Sequence, residues 1–193
     1  MNWYRLSELS EIIPIDVPDG QSGDWRVSTF EVSKEAEKMG MMRAIFSSSR
    51  GRYVPAGTYK GLYRGGSVIM SNTPDEVSDL YEFFRAVKGE VLINGLGLGV
   101  ALRVILDKVN EKGNPVVTGV TVVEFSEDVI QLVAPAFKSD PRVHIVHVNA
   151  LEYRPVCPKS GKFDAVWHDI WDDITSENLP EMKRLHRKYG SKS

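Results

Sequence analysis

Apolar and polar residues alternate from Trp25 to Val32, W-R-V-S-T-F-E-V, the period-two mark of a half-buried strand. Ser33 follows as an N-cap. The run K-E-A-E-K-M-G-M-M-R-A-I-F behind it predicts a helix that stops at the cluster of Ser47 to Ser49 and Gly51. Two further apolar-rich runs, Thr58 to Arg64 and Ser67 to Ser71, flank Gly65-Gly66, the arrangement of a hairpin turn. Residues 1–72 therefore predict a small, β-rich α+β appendage. At Thr73 the texture changes. The sequence T-P-D-E combines a threonine N-cap, a proline at the first helical position and Glu76 where a capping box needs it, and so predicts a helix to about Val87. Beyond it, Glu90 to Asn94, Val116 to Glu124, Arg142 to Val148 and Phe163 to His168 read as strands. Gly99 to Lys112 and Glu127 to Phe137 read as helices between them. Gly113, Asn114 and Pro115 end the first of these, and Ser126-Glu127-Asp128 caps the second. Strands alternating with helices predict an α/β unit over residues 73–193, with a parallel sheet covered on both faces. A last helix from about Thr175 to Tyr189 ends in cations, which suits its dipole.

Composition narrows the class without naming a function. The chain has 193 residues, 42% hydrophobic and 26% charged, with a formal net charge of -2, which excludes a disordered, collagenous or coiled-coil protein. No apolar run approaches the ~20 residues of a membrane span, so no membrane association is expected. Met1 to Asp16 carries charges where a signal peptide has its apolar centre, and Cys157 is the lone cysteine, so a reducing, cytoplasmic setting is expected. No set of histidines and carboxylates has zinc-like spacing, so no metal is expected. The charge is unevenly spread. Between Lys38 and Pro74 lie six basic residues, the last being Arg64, and no acidic one, with Phe46, Tyr53, Tyr59 and Tyr63 interleaved. Two readings stay open: a solvated hairpin surface, or a face from Lys38 to Arg64 that contacts nucleic acid. If the substrate is small, the same arm is expected to cover the site or to meet a second subunit in a homo-oligomer.

The chemistry concentrates in V-L-I-N-G-L-G-L-G-V-A-L, Val91 to Leu102: a buried strand, a turn at Gly95, Gly97 and Gly99, then a helix. Such a loop lets a ligand approach the backbone. The dinucleotide fingerprint G-x-G-x-x-G/A needs a small residue at position 100, where this chain has Val100, so a nicotinamide cofactor is disfavoured. Glu124, at the end of the second strand, is placed either to accept hydrogen bonds from a ribose or to cap the next helix. Phe163 to Ile174, F-D-A-V-W-H-D-I-W-D-D-I, runs a strand out into an aromatic and acidic loop. Asp169 there is the candidate base or amine anchor. Trp167 reads as core and Trp171 as pocket or core. Asp172 and Asp173 read as site residues or as acids ahead of the last helix. His168 has no visible partner to orient it, and His144 and His147 read as structural residues on opposite faces of a buried strand.

Over residues 72–175 the chain resembles the class I S-adenosylmethionine-dependent methyltransferases, and in detail their spermidine synthase-like branch. The branch features are the β-rich appendage, D-P-R-V at Asp140 to Val143, and D-x-x-D at Asp169 and Asp172. The resemblance implies a Rossmann-like methyltransferase fold, abbreviated at its C-terminal end, with S-adenosylmethionine as cofactor and an unknown acceptor. It implies that Gly95, Gly97 and Gly99 border the methionine moiety. Glu124 would border the ribose and Asn149 and Ala150 the adenine, Asn94, Phe125 and Asp169 would also contact the cofactor, and Asp169 and Asp172 would be catalytic. Two departures stand out. Asn149 replaces the usual acidic residue, and Asp79, Leu80 and Tyr81 occupy the place of the tyrosine-histidine-glutamate run of polyamine synthases. Aminopropyl transfer therefore ranks below methyl transfer, and an inactive nucleoside-binding or interaction module is the alternative of another class.

Overall fold

The computed structural model describes residues 14–46, 53–155, 162–171 and 175–189. The first part is an antiparallel sheet in the order β1 (Gly20–Ser22), β2 (Trp25–Val32), β3 (Gly57–Arg64) and β4 (Ser67–Ser71), with helix α1 (Lys34–Phe46) between β2 and β3. The Ser33 hydroxyl accepts the Ala36 amide at 3.2 Å, so the predicted N-cap forms. Gly65 and Gly66 take φ of 54° and 92°, the left-handed geometry that closes a tight hairpin.

Residues after Thr73 build a mixed α/β unit of Rossmann-like form. Helices α2 (Pro74–Asp79) and α3 (Tyr81–Ala86) lead into β5 (Gly89–Asn94), α4 (Val100–Leu106), β6 (Val117–Glu124), α5 (Glu127–Val133), β7 (Val143–His147), β8 (Ala165–His168) and α6 (Leu179–Tyr189). The four strands are parallel, in the order β7-β6-β5-β8. From β5 the chain first winds to one side, through β6 to β7, and then returns to place β8 on the other. The strand order thus reverses between β5 and β8, and a crevice opens beyond their carboxyl ends. β6, V-T-G-V-T-V-V-E, has seven of its eight residues buried, as a central parallel strand should.

Several local expectations are corrected. Thr73 makes no side-chain cap bond, and Glu76 does not close a capping box. Its carboxylate instead accepts the Ser71 amide and hydroxyl, each at 2.6 Å, which ties α2 to β4. The helix foreseen from Thr73 to Val87 is two helices meeting at Leu80. That foreseen from Gly99 to Lys112 ends at Leu106, since the backbone beyond it pairs elsewhere, the Lys108 carbonyl accepting the Val116 amide and Val109 bridging Pro115, while the Lys108 ammonium reaches the carbonyls of Phe84, Arg85 and Val87 at the end of α3. α5 gives way at Val133 to a 3-10 turn, Ala134–Phe137, since Pro135 has no N–H to continue the ladder. β7 is an edge strand and His144 and His147 are exposed, so neither lies on a buried strand.

The two sheets share one core. Ile15, Val17, Val27 and Leu62 pack in the same cluster as Val77, Val91 and Leu98. Polar contacts reinforce the join: the Ser22 hydroxyl donates to Asp128 at 2.6 Å, from β1 to the first turn of α5. Among the described residues no helix is long and apolar enough to cross a membrane.

Candidate functional site

The glycine loop leaves β5 at the reversal of strand order. Gly95, Gly97 and Gly99 have φ of 98°, 50° and 81°, a region that other residues enter at a cost of about 1–2 kcal/mol. Packing restricts them further. A Cβ on Gly95 would overlap the Asp169 carbonyl oxygen, one on Gly97 would lie 2.7 Å from the Met70 methyl, and one on Gly99 2.5 Å from the Phe137 ring. The first two glycines face the crevice, whereas Gly99 packs inward against Phe137. Val100, where a dinucleotide loop needs a small side chain, is buried at the start of α4.

Most loop amides are already bonded within the protein. Gly95 N–H donates to the Val123 carbonyl, Leu96 N–H to the Glu124 carboxylate at 2.7 Å, Leu98 N–H to Met70 Sδ at 3.3 Å, and Gly99 N–H to the Leu96 carbonyl. Such a loop is poorly equipped to cradle a phosphate, which needs several converging free N–H groups. Glu124 is only 9% exposed, and its other oxygen accepts the Ser126 amide at 2.8 Å. Each carboxylate oxygen has a second lone pair for a ligand hydroxyl. Glu124 therefore joins the glycine loop to the N-cap of α5 and also reaches the crevice.

A cavity of about 330 Å³ occupies that crevice. Its walls bring together seven residues singled out in the sequence: Gly95, Gly97, Glu124, Phe125, Asn149, Ala150 and Asp169. Two do not join them. Gly99 packs away from it, and Asn94 is wholly buried beneath the sheet end. Asp172 lies outside the described residues. Asn149 does not turn its carbonyl oxygen wholly to the cavity, since Oδ1 accepts the Leu151 amide at 2.9 Å. Asp169 follows β8, its amide bonded to the Asn94 carbonyl at 2.7 Å. Burial, reinforced by the charge of Glu76, pushes its carboxyl above the ordinary carboxylate value, while the Trp167 indole works the other way. Trp167 packs on Phe83 with ring centroids 5.1 Å apart, as a core residue. Trp171 lines the cavity and donates its indole N–H to Glu181 of α6 at 2.8 Å.

The appendage supplies one wall of the cavity, Trp25, Leu62, Arg64, Ile69 and Met70; an arm over the site is among the expectations from the sequence, but none of these five residues is singled out for it there. Its basic stretch is partly used up locally: Lys60 pairs with Asp19 at 2.6 Å, and the Arg64 guanidinium lies 5.3 Å from the centre of the Trp25 ring. Arg50 and Arg52 lie outside the described residues. A partner for His168 was missed as well. The side-chain amide of Asn94 lies 2.7 Å from His168 Nδ1 and orients the ring. Among the described residues no cluster of histidine, cysteine and carboxylate side chains could hold a metal ion.

No family model matches the chain, and no curated protein matches it. Among solved structures it is similar to the spermidine synthase of Thermotoga maritima, at 18% identity and a TM-score of 0.46. The match covers 90% of this chain and 52% of that one, so the chain spans about half the length of that protein.

Proposed function

We propose that the chain is an S-adenosylmethionine-dependent methyltransferase whose cofactor lies in the crevice beyond β5 and β6. One observation carries the reading: Gly95, Gly97, Glu124, Asn149, Ala150 and Asp169, which are scattered over 75 positions of sequence, line a single cavity at the point where strand order reverses. The cavity has the size of a small-molecule site, which typically spans about 300–1,000 Å³. Glu124 would hold the ribose hydroxyls with its remaining lone pairs. Asn149 and Ala150 would flank the adenine, and Gly95 and Gly97, where they line the cavity beside Met70, would lie along the amino-acid tail. The bonded state of the loop amides favours such a ligand over a pyrophosphate.

The cofactor supplies a methyl group on a positively charged sulfur. The protein's part is to align the acceptor behind that carbon and to remove a proton where the nucleophile carries one. Asp169 would take this part. It lies beside Gly95, and its raised carboxyl is a stronger base than an exposed aspartate. Trp171, oriented by Glu181, would form the acceptor side of the cavity.

Calorimetric titration with S-adenosylmethionine, S-adenosylhomocysteine, decarboxylated S-adenosylmethionine and NAD tests the proposal. Binding of the first two without NAD is the expected result. Binding of NAD alone, or of none of the four, would overturn it, and preference for the decarboxylated compound would shift the reading to aminopropyl transfer.

A further inference from the structure

The β3–β4 ladder shifts register between Leu62 and Tyr63: Leu62 faces Met70 but Tyr63 faces Val68, so Ile69 is an extra residue in β4. In a regular strand, neighbours point to opposite faces. At this bulge, the consecutive Ile69 and Met70 both line the cavity. Met70 is thereby carried onto the glycine loop. Its sulfur accepts the Leu98 amide at 3.3 Å, and its methyl and sulfur stand 2.7 and 2.8 Å from where a Cβ of Gly97 would be. The space that glycine opens in front of position 97 is filled by a side chain from the other sheet.

We propose that Met70 is a specificity-determining plug: it makes the site favour adenine nucleosides with a short 5′ thioether over those whose tail must run across Gly97. The inference rests on the nucleoside reading of the cavity. A flexible thioether suits the role, since it fills irregular space and changes rotamer readily, and sulfur is a weak acceptor whose bond to Leu98 is easily given up. A long-tailed ligand binds only the fraction of molecules in which Met70 has swung aside, and a nucleoside that stops at the sulfur avoids that penalty.

The test is titration of the 193-residue parent chain, Met70→Ala and Met70→Leu with S-adenosylhomocysteine and 5′-methylthioadenosine. The parent should bind 5′-methylthioadenosine at least as tightly as S-adenosylhomocysteine. If the open rotamer is populated in about a tenth of molecules, Met70→Ala should bind S-adenosylhomocysteine up to about tenfold more tightly. Its affinity for 5′-methylthioadenosine should stay within about twofold of the parent, and Met70→Leu, which keeps the bulk, should resemble the parent with both ligands. Unchanged or weaker S-adenosylhomocysteine binding by Met70→Ala would overturn the plug while leaving the nucleoside site standing. Failure of parent and variants to bind either compound would overturn both. The parent alone gives a second readout. The nuclear Overhauser contact between the Met70 methyl and the Leu98 amide should vanish with S-adenosylhomocysteine and persist with 5′-methylthioadenosine, and its persistence with both would sink the proposal.

Discussion

Glu124 shows how one side chain can serve architecture and ligand together. Its two oxygens hold the Leu96 and Ser126 amides, so removing it strands two backbone donors at the floor of the cavity. An unsatisfied buried donor costs about 1–3 kcal/mol. Glu124→Ala should therefore lower the melting temperature by several degrees, at roughly 2–4 °C per kcal/mol for a chain of this size. It should also weaken S-adenosylmethionine binding by roughly tenfold to a hundredfold, the equivalent of losing charge-assisted bonds worth about 1.5–3 kcal/mol. Thermal melts and calorimetry on the same preparation separate the two effects: a melting point equal to the parent's would contradict the bracing role, and unchanged affinity the ribose role. The glycines can be ranked in the same way. Gly113 has φ of 77° and no atom within 4 Å of its Cβ direction, so Gly113→Ala should cost only the left-handed penalty of about 1–2 kcal/mol. Gly95→Ala adds a clash with the Asp169 backbone and should destabilise the chain well beyond ~2 kcal/mol in urea denaturation. Equal losses would mean that the β5 and β8 ends are not held as closely as described.

At the scale of elements, every strand but the three-residue β1 was legible, because the signals are local. β2 alternates, β6 is rich in valine and β-branched residues, and Gly65-Gly66 closes its hairpin as the dipeptide demands. Helix ends were less legible where tertiary contacts decide them. α4 stops at Leu106 although the pattern runs on, because the backbone at Lys108 and Val109 pairs with Pro115 and Val116, and no periodicity in the sequence marks that pairing. The site followed the same rule. Gly95 and Glu124 announce themselves by residue type at strand ends, but Met70 enters through a one-residue bulge, and Asn94 finds His168 only because β5 and β8 are neighbours. Lys108 offers a direct test of such long-range capping. Its ammonium reaches three carbonyls, and burial holds its pKa below the ordinary lysine value. Hydrogen bonds from a charged donor are worth about 1.5–3 kcal/mol, so Lys108→Met should destabilise by about that amount. Amide exchange should quicken first in α3. Faster exchange confined to α4 would show that Lys108 serves its own helix instead.

The whole molecule joins an antiparallel sheet to a parallel one through a common core, with polar groups enclosed where the two strand ends and α6 meet. That enclosure makes stability depend on pH in a way that can be read group by group. His168 lies against Tyr189 with ring centroids 5.7 Å apart, and among the described residues its Nε2 and the Asn94 Oδ1 have no hydrogen-bond partner. Burial first, then the charges of His186 and Lys188, hold its pKa down to about 4, against an ordinary value of 6.5. Between those values the unfolded chain takes up a proton that the folded chain refuses, so stability falls as pH drops through the window. Asp169 works in the opposite sense. Its pKa is raised by burial, so in the acid range the folded chain holds a proton that the unfolded carboxylate has shed, and its contribution to stability is lost as pH rises. The parent should record these two opposed effects together with those of its other shifted groups, among them Asp19 and Asp140, whose lowered pKa values also cost stability as pH falls. On lowering the pH from about 7.5 to about 4, the melting temperature of Asp169→Asn should fall more steeply than the parent's, and that of His168→Gln less steeply. Three parallel curves would place the proton uptake elsewhere and would mean that α6 does not seal this end of the sheet from water.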